Sequence, residues 1–124
     1  MEFTAAIIIR NKNILLLKRS EEVEKGKWNP PNETIEDNEK PEFAVVRGVK
    51  EETNLNFRIN KFLFPHFYNN LKTYVFLGEA SGELIPEPRE SSEAKWFTYD
   101  EARKLDFAFS YNLLMERLHL MDYI

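Results

Sequence analysis

The sequence contains no cysteine, which excludes disulfide scaffolds, thiol catalysis and cysteine-ligated zinc sites. Its only two histidines, His66 and His119, leave little for a histidine-rich metal site. Long hydrophobic runs are missing as well: the early apolar run Ala5–Ile9 is far shorter than the ~18 residues that a membrane-spanning helix needs. No basic flank accompanies Glu2, so a secretory signal peptide is not indicated and a cytoplasmic protein is expected.

Positive charge is also in deficit, with a formal net charge of −4. Because no basic stripe is present, neither a nucleic acid nor a membrane surface is expected as a partner. An acidic chain can still bind an anion when a divalent cation lies between the two. Hydrophobic residues make up 43% of the chain and aromatic residues 14%, which is enough for a packed core. The length of 124 residues predicts one domain that spans 1–124.

The order of apolar and polar segments predicts a mixed α+β sandwich. Pro30 and Pro31 fix the backbone φ angle, so Pro30–Glu33 is predicted to be irregular. Strands are predicted at Phe3–Arg10, Ile14–Lys18, Trp28, Phe57–Tyr68, Thr73–Ala80 and Ala94–Thr98, the first two as a hairpin. Helices are predicted from Asn38–Pro41 to Thr53, at Asp100–Leu105 and at Ser110–Tyr123, with Asn54 as a left-handed stop.

The central helix carries two adjacent acids near its carboxyl end, Glu51 and Glu52. Charge runs are commonly a solvated surface, which is the simplest interpretation of this pair. Negative charge at a helix carboxyl end opposes the helix dipole, however, at a cost of ~0.3–1 kcal/mol per charge. A bound divalent cation would offset that cost. The core face of this helix is predicted to hold Val45, Val46, Val49 and Thr53.

Arg47 lies four residues before Glu51, and this pair is worth only about 0.2–0.5 kcal/mol. So small an energy does not account for the arrangement. We therefore expect Arg47 to brace the acidic loop, with Glu36 and Glu39 as its partners.

The segment Glu33–Leu55 resembles the Nudix hydrolase signature, G-x5-E-x7-R-E-U-x-E-E-x-G-U, in which U is a bulky aliphatic residue. The alignment has no gaps, and six of the nine defined positions match. These six are Glu39, Arg47, Val49, Glu51, Glu52 and Leu55. Residues that commonly accompany the signature are also present, among them Trp28, Pro31 and the Ala94–Phe97 segment.

The resemblance implies a Nudix-like α/β/α sandwich with a mixed β-sheet and a loop-helix-loop catalytic motif. It also implies Mg²⁺ or Mn²⁺ as cofactor, bound by Glu51, Glu52 and Glu90. Arg47 would orient the loop glutamates, and Glu39 would support the helix entry and the metal site. The expected function is metal-dependent pyrophosphohydrolysis of a nucleoside diphosphate linked to another moiety. Oligomeric state stays open, and a homodimer is reasonable by the same resemblance.

Three signature positions depart from the pattern: Glu33 and Asn54 replace glycines, and Gly48 replaces a glutamate. A metal-binding side chain is therefore missing at Gly48, and a glycine inside a helix costs ~1 kcal/mol relative to alanine. One interpretation is a shifted site in an active enzyme, in which Glu90, Glu36 or Glu93 supplies the base. The substitution of Gly48 by glutamate is predicted to raise metal affinity or turnover, and no gain would mean that the site is already built around a different ligand. The alternative is a catalytically impaired nucleotide-binding or interaction module.

Substrate contacts are expected from a basic residue and from aromatic strands. Arg19 follows an apolar strand where many members of the family carry a basic residue. His66, Tyr68 and Tyr74 could contact phosphate or stack on a base, although aromatic residues on strands more often belong to the core. The partner expected from these residues is a small-molecule nucleotide or a nucleoside diphosphate derivative.

Overall fold

The computed structural model describes residues 1–124 and contains seven strands and three helices. The strands are β1 (Glu2–Arg10), β2 (Asn13–Arg19), β3 (Trp28–Asn29), β4 (Asn32–Thr34), β5 (Asn56–Tyr68), β6 (Leu71–Ser81) and β7 (Ser91–Phe97). The helices are α1 (Pro41–Thr53), α2 (Tyr99–Ala102) and α3 (Tyr111–Leu120). No helix is both long enough and apolar enough to cross a membrane.

The sheet is mixed and is organised around β1, an apolar strand that is buried along most of its length. Strand β1 runs parallel to β6 and antiparallel to both β2 and β4. The β1–β2 connection is a tight turn at Asn11 and Lys12, which both have positive φ, and it confirms the predicted hairpin. Strand β5 lies antiparallel to β6, and β7 lies antiparallel to β2.

Two hydrophobic layers separate the sheet from the helices on its two faces. On one face, Val45 and Val49 of α1 pack with Leu15 of β2 and Phe76 of β6. On the other face, α3 contributes Tyr111, Leu114, Met115 and Leu118 to a larger cluster. The alternation of side chains along each strand supplies both clusters from the same sheet. This arrangement confirms the predicted α/β/α sandwich and its loop-helix-loop segment around α1.

Helix α1 begins and ends close to the predicted residues. Pro41 occupies the first helical turn, where its missing N–H costs nothing, and the cap position is Lys40 rather than Asn38. Asn54 ends the helix in the left-handed conformation with φ of 66°, and its N–H donates to the carbonyl oxygen of Lys50. The predicted stop is therefore confirmed.

Two sequence-based predictions were wrong in this region. Asn32–Thr34 is a short strand rather than irregular backbone, because its residues pair antiparallel with Phe3, Thr4 and Ala5 of β1. Val46 is 38% exposed and does not belong to the core face. The buried positions of α1 instead include Gly48 and Glu52, since the packing of β4 against the helix widens its buried face.

Candidate functional site

A polar cleft with a volume of about 210 Å³ opens beside the carboxyl-terminal half of α1. Strand β4 and the residues at the start of β7 form its other walls. The side chains that matter for its chemistry are Arg19, Asn32, Glu33, Glu52, Glu90 and Phe109. Most of the lining is polar, so the cleft suits a charged ligand better than an apolar one.

Glu52 lies at the base of this cleft and is only 6% exposed. Its Oε1 atom is buried and has no hydrogen-bond partner among the protein atoms. Burial raises the pKa of Glu52 well above its usual range, and the negative charges of Glu90 and Glu33 raise this pKa further. An unpaired buried carboxylate is costly, so its retention in a cleft indicates a ligand that compensates for it.

Glu90 and Glu33 bring two more carboxylates to the same cleft. Glu90 Oε2 is also buried without a partner, and burial together with the negative charge of Glu21 raises the pKa of Glu90. Burial likewise raises the pKa of Glu33, opposed by a hydrogen bond from the Thr34 N–H. The loop that carries Glu90 is fixed by two backbone bonds: Glu87 N–H donates to Glu52 O at 2.9 Å, and Ser20 N–H donates to Glu90 O at 3.0 Å.

Arg47 connects α1 to the acidic loop through a fork of short hydrogen bonds. Its Nε donates to Glu39 Oε2 at 2.8 Å, and its Nη2 donates to Glu39 Oε1 and to the Thr34 carbonyl oxygen, both at 2.9 Å. Nη1 donates to both carboxylate oxygens of Glu51 at 3.2 Å and lies 3.6 Å from Glu36 Oε1. The predicted partners of Arg47, Glu36 and Glu39, are therefore its contacts.

Glu51 lies next to the cleft but does not line it. Its side chain is 50% exposed and is held against Arg47. Its charge nevertheless reaches the cleft, since it raises the pKa values of both Glu33 and Glu90. In this arrangement the adjacent acids of α1 have different environments, with Glu52 buried and Glu51 half in solvent.

Gly48 has no room for a side chain. A Cβ atom built on it would lie 2.9 Å from Glu33 Cγ and still closer to Glu33 Cβ. The side chain of Glu33 already fills the space that a glutamate at residue 48 would need, so the gain predicted for that substitution stays a prediction and requires Glu33 to move.

Arg19 and Phe109 form the opposite end of the cleft. The guanidinium of Arg19 lies 4.9 Å from the ring centre of Phe109 and is mostly buried. Its Nε donates to the Val23 carbonyl oxygen at 2.9 Å, and its Nη2 lies 3.9 Å from Glu21 Oε2. Arg19 is the one cation among the lining residues, and its charge lowers the pKa of Glu52.

His66 and Tyr68 line a small apolar cavity that shares Phe3, Asn32 and Phe109 with the polar cleft. His66 stacks on the Tyr111 ring, and its Nε2 lies 3.0 Å from the Phe109 carbonyl oxygen. Since a carbonyl oxygen can only accept, Nε2 is the protonated donor in this contact. The same strand positions thus place His66 in a packing role and Tyr68 at the cavity wall.

Tyr74 lies away from both cavities, because residues of alternate parity on β6 face opposite sides of the sheet. It packs beside the cluster under α1, and its hydroxyl donates to Glu2 Oε2 at 3.2 Å. The structure therefore does not bring Tyr74 together with Arg19, His66 and Tyr68.

Several residues that line the cleft were not among the predicted site residues. Asn29 and Asn32 approach each other there, with Asn29 Nδ2 at 3.4 Å from Asn32 Oδ1. Phe109 also lines the cleft, and nothing in the sequence links it to that position. Glu33 did carry a signal, since it stands where the signature has glycine.

The donor set fits a hard divalent cation. Such ions prefer carboxylate oxygens, and two of the oxygens here are buried without a partner. No three acidic or histidine side chains are already arranged as a metal-binding group. The fit therefore rests on the chemistry of the donors and on the unpaired oxygens of Glu52 and Glu90.

A family model for the NUDIX domain matches residues 2–118 of the chain. An ADP-ribose pyrophosphatase of Methanocaldococcus jannaschii is 30% identical over 107 residues, which cover 82% of this chain and 63% of that protein. An NAD-capped RNA hydrolase NudC of Stutzerimonas stutzeri is 28% identical over 100 residues, which cover 76% of this chain and 35% of that protein.

Solved structures show the same architecture. The crystal structure of a MutT NUDIX hydrolase from Burkholderia pseudomallei superposes with a TM-score of 0.83 at 26% identity, covering 94% of this chain and 96% of that chain. The chain spans between 29% and 63% of the length of the first curated relatives that it matches.

Proposed function

Because the chain belongs to the NUDIX family, we propose that it hydrolyses a phosphoanhydride bond in a nucleoside diphosphate linked to another moiety, with Mg²⁺ or Mn²⁺ as cofactor. The observation that carries this proposal is the carboxylate of Glu52, buried at the base of a polar cleft with Oε1 unpaired. A glutamate with only a structural role would not be expected to leave a buried carboxylate oxygen without a hydrogen-bond partner.

Glu51, Glu52 and Glu90 are the proposed ligands of the cation. Glu52 and Glu90 each have an unpaired oxygen in the buried part of the cleft. Glu51 precedes Glu52 in the sequence, and its negative charge raises the pKa of Glu90. When bound, the cation would neutralise phosphate charge and polarise the diphosphate for attack by water.

The remaining residues position the substrate and the ligands. Arg47 holds Glu39 and Thr34 and thereby fixes the loop against α1. Arg19 lies where it can pair with a phosphate oxygen across from the carboxylates. Tyr68 and Phe109, at the wall of the adjoining apolar cavity, offer aromatic surface to a base or to the linked group.

A substrate screen tests the activity. The purified protein is incubated with ADP-ribose, NAD and dinucleoside polyphosphates, each with Mg²⁺, with Mn²⁺ and with chelator. An NAD-capped RNA is included because the relative from Stutzerimonas stutzeri is named for that substrate, although the acidic charge of this chain does not favour RNA. We expect cation-dependent release of a nucleoside monophosphate product from at least one substrate.

The matched pair of variants is Glu52→Gln and Glu42→Gln. Both remove one negative charge from α1, but Glu42 is exposed in its first turn and lies outside the cleft. Glu52→Gln is expected to abolish turnover while Glu42→Gln retains it. Equal turnover in the two variants would remove Glu52 from the site.

The alternative function is a nucleotide-binding or interaction module of the same fold, which the missing side chain at Gly48 favours. This alternative predicts no turnover in any condition of the screen, together with a thermal shift when nucleotide is added. The screen and the thermal shift therefore separate hydrolysis from binding alone.

A further inference from the structure

We propose that Glu33 supplies a cation-binding carboxylate from strand β4, and that Gly48 is the matching residue that makes space for it. This inference rests on the proposed cation-dependent function and extends it to a ligand outside the helix. It also gives the glycine in the middle of α1 a structural reason.

Strand β4 approaches α1 so closely that Glu33 lies against Gly48. Strand β4 is held by antiparallel pairing with β1, in which Glu33 lies opposite Thr4. In this position the Cβ and Cγ atoms of Glu33 occupy the space that a side chain on residue 48 would need. Gly48 is buried, so neither element can move outward into solvent without loss of packing.

The side chain of Glu33 reaches the cleft. The side chain is only 19% exposed and lines the same cleft as Glu52 and Glu90. One of its oxygens, Oε1, accepts the Thr34 N–H at 3.0 Å, which fixes the carboxylate above Gly48. The other oxygen, Oε2, lies 3.7 Å from Arg47 Nη1, which is too long for a hydrogen bond.

Arg47 does not account for the presence of Glu33. A guanidinium has five N–H donors, and those of Arg47 have acceptors in Glu39, Glu51 and the Thr34 carbonyl oxygen. The second Glu33 oxygen is therefore left for another partner.

The unpaired oxygens of Glu52 and Glu90 point to a ligand in the same place independently of Glu33. Four carboxylates line the cleft and are opposed by the single cation Arg19, which leaves an excess of negative charge. They belong to Glu21, Glu33, Glu52 and Glu90. A divalent cation supplies the missing charge and accepts several carboxylate oxygens at once.

The first experiment measures Mn²⁺ binding to the parent, Glu33→Gln and Glu42→Gln proteins by electron paramagnetic resonance of free Mn²⁺. Glutamine keeps the size of the side chain and the acceptor for the Thr34 N–H, so the fold is retained. We expect the dissociation constant to rise by about tenfold or more in Glu33→Gln, since one ligand charge is lost, and to stay at the parent value in Glu42→Gln. An unchanged constant in Glu33→Gln would overturn the inference.

The second experiment exchanges the two positions. Gly48→Glu alone is expected to lower the melting temperature, because its side chain meets Glu33. Glu33→Gly alone should weaken Mn²⁺ binding. The double variant Glu33→Gly/Gly48→Glu relieves the collision and returns a carboxylate from the helix, so both stability and Mn²⁺ affinity should recover. A folded double variant that binds Mn²⁺ as weakly as Glu33→Gly would contradict the exchange.

Binding and turnover separate this inference from the proposed function. If the parent binds Mn²⁺ through Glu33 but hydrolyses no substrate in the screen, the hydrolase proposal fails and the ligand assignment stands. If turnover is present and Glu33→Gln binds Mn²⁺ like the parent, the ligand assignment fails and the hydrolase proposal stands. A parent that binds no Mn²⁺ overturns the ligand assignment, and it overturns the hydrolase proposal as well when no substrate is turned over with Mg²⁺.

Discussion

The substitution Glu52→Gln should stabilise the cation-free protein while it removes the function. Oε1 of Glu52 is buried without a partner, and the neighbouring charges of Glu33 and Glu90 are negative. An unsatisfied buried polar group costs about 1–3 kcal/mol, and more when it is charged. Glutamine has the same shape and removes the charge. We therefore expect a gain of about 1–3 kcal/mol near pH 8.

The pH dependence of this gain has a defined sign. The pKa of Glu52 in the folded protein is raised above its ordinary value of 4.5, chiefly by burial. A raised carboxyl pKa means that the folded state binds the proton more tightly than the unfolded state. The cation-free parent consequently loses stability as the pH rises above about 4.5. The advantage of Glu52→Gln should be small near pH 4.5 and should grow toward pH 8.

A divalent cation should reverse the order of stability. A ligand present at a hundredfold excess over its dissociation constant stabilises the folded state by about 2.7 kcal/mol. The parent gains this stabilisation from Mn²⁺, whereas Glu52→Gln has lost a central ligand and gains little. For a protein of this size, each kcal/mol changes the melting temperature by about 3–5 °C. The exchange in the order of the two melting temperatures on addition of cation is therefore measurable.

The assay is thermal unfolding of the parent, Glu52→Gln and Glu42→Gln with chelator and with Mn²⁺, followed by circular dichroism. Without cation, Glu52→Gln should melt above the parent, and with Mn²⁺ it should melt below. Glu42→Gln should show the same Mn²⁺ shift as the parent. The reasoning is refuted if Glu52→Gln melts below the parent in chelator or keeps the full Mn²⁺ shift.

Three further predictions concern residues around the site. Gly48→Ala, which in most helix interiors stabilises by ~1 kcal/mol, should here destabilise by about 1–3 kcal/mol in urea unfolding because of its contact with Glu33. Arg47 lowers the pKa of Glu39 to about 2, below the ordinary 4.5, so their pairing stabilises the fold above pH 4.5 and is lost as the pH falls toward 2. Arg47→Ala should therefore unfold more easily than the parent at pH 6, and acid titration should show that difference shrinking below pH 4.5. Asn54→Ala should lower stability by about 1 kcal/mol in thermal unfolding, because residue 54 has φ of 66°, whereas Asn54→Gly should be neutral or better.

Local patterns accounted for the elements that depend mainly on neighbouring residues. The run Ile7–Ile9 and the Asn11–Lys12 turn were sufficient for the first hairpin, since β-branched residues and positive-φ turn residues act over short distances. Pro41 and Asn54 likewise marked the two ends of α1. These features require no knowledge of which element packs on which.

Features that depend on long-range packing could not be predicted in the same way. Strand β4 exists because β1 offers an antiparallel partner to Asn32–Thr34. The neighbouring Pro30 and Pro31 led to the prediction of irregular backbone there. Val46 has the spacing of a core residue but lies at the edge of the helix face that β4 and the sheet cover. The contribution of Phe109 to the cleft arises from the turn before α3, which no local pattern connects with Arg19.

The signature departures at residues 33 and 48 are related in a way that the sequence alone does not reveal. Read one at a time, a glycine lost at Glu33 and a glutamate lost at Gly48 both weaken the case for activity. They lie fifteen positions apart along the chain, and only the pairing of β4 with β1 places one over the other. In three dimensions the side chain of Glu33 fills the space that a side chain on residue 48 would need, and the proposed cation ligand comes from the strand rather than from the helix. Under the proposal that Glu33 binds the cation, Gly48 does not reduce the number of acidic side chains available to it, and the Mn²⁺ affinity of Glu33→Gln decides how far Gly48 supports an impaired module.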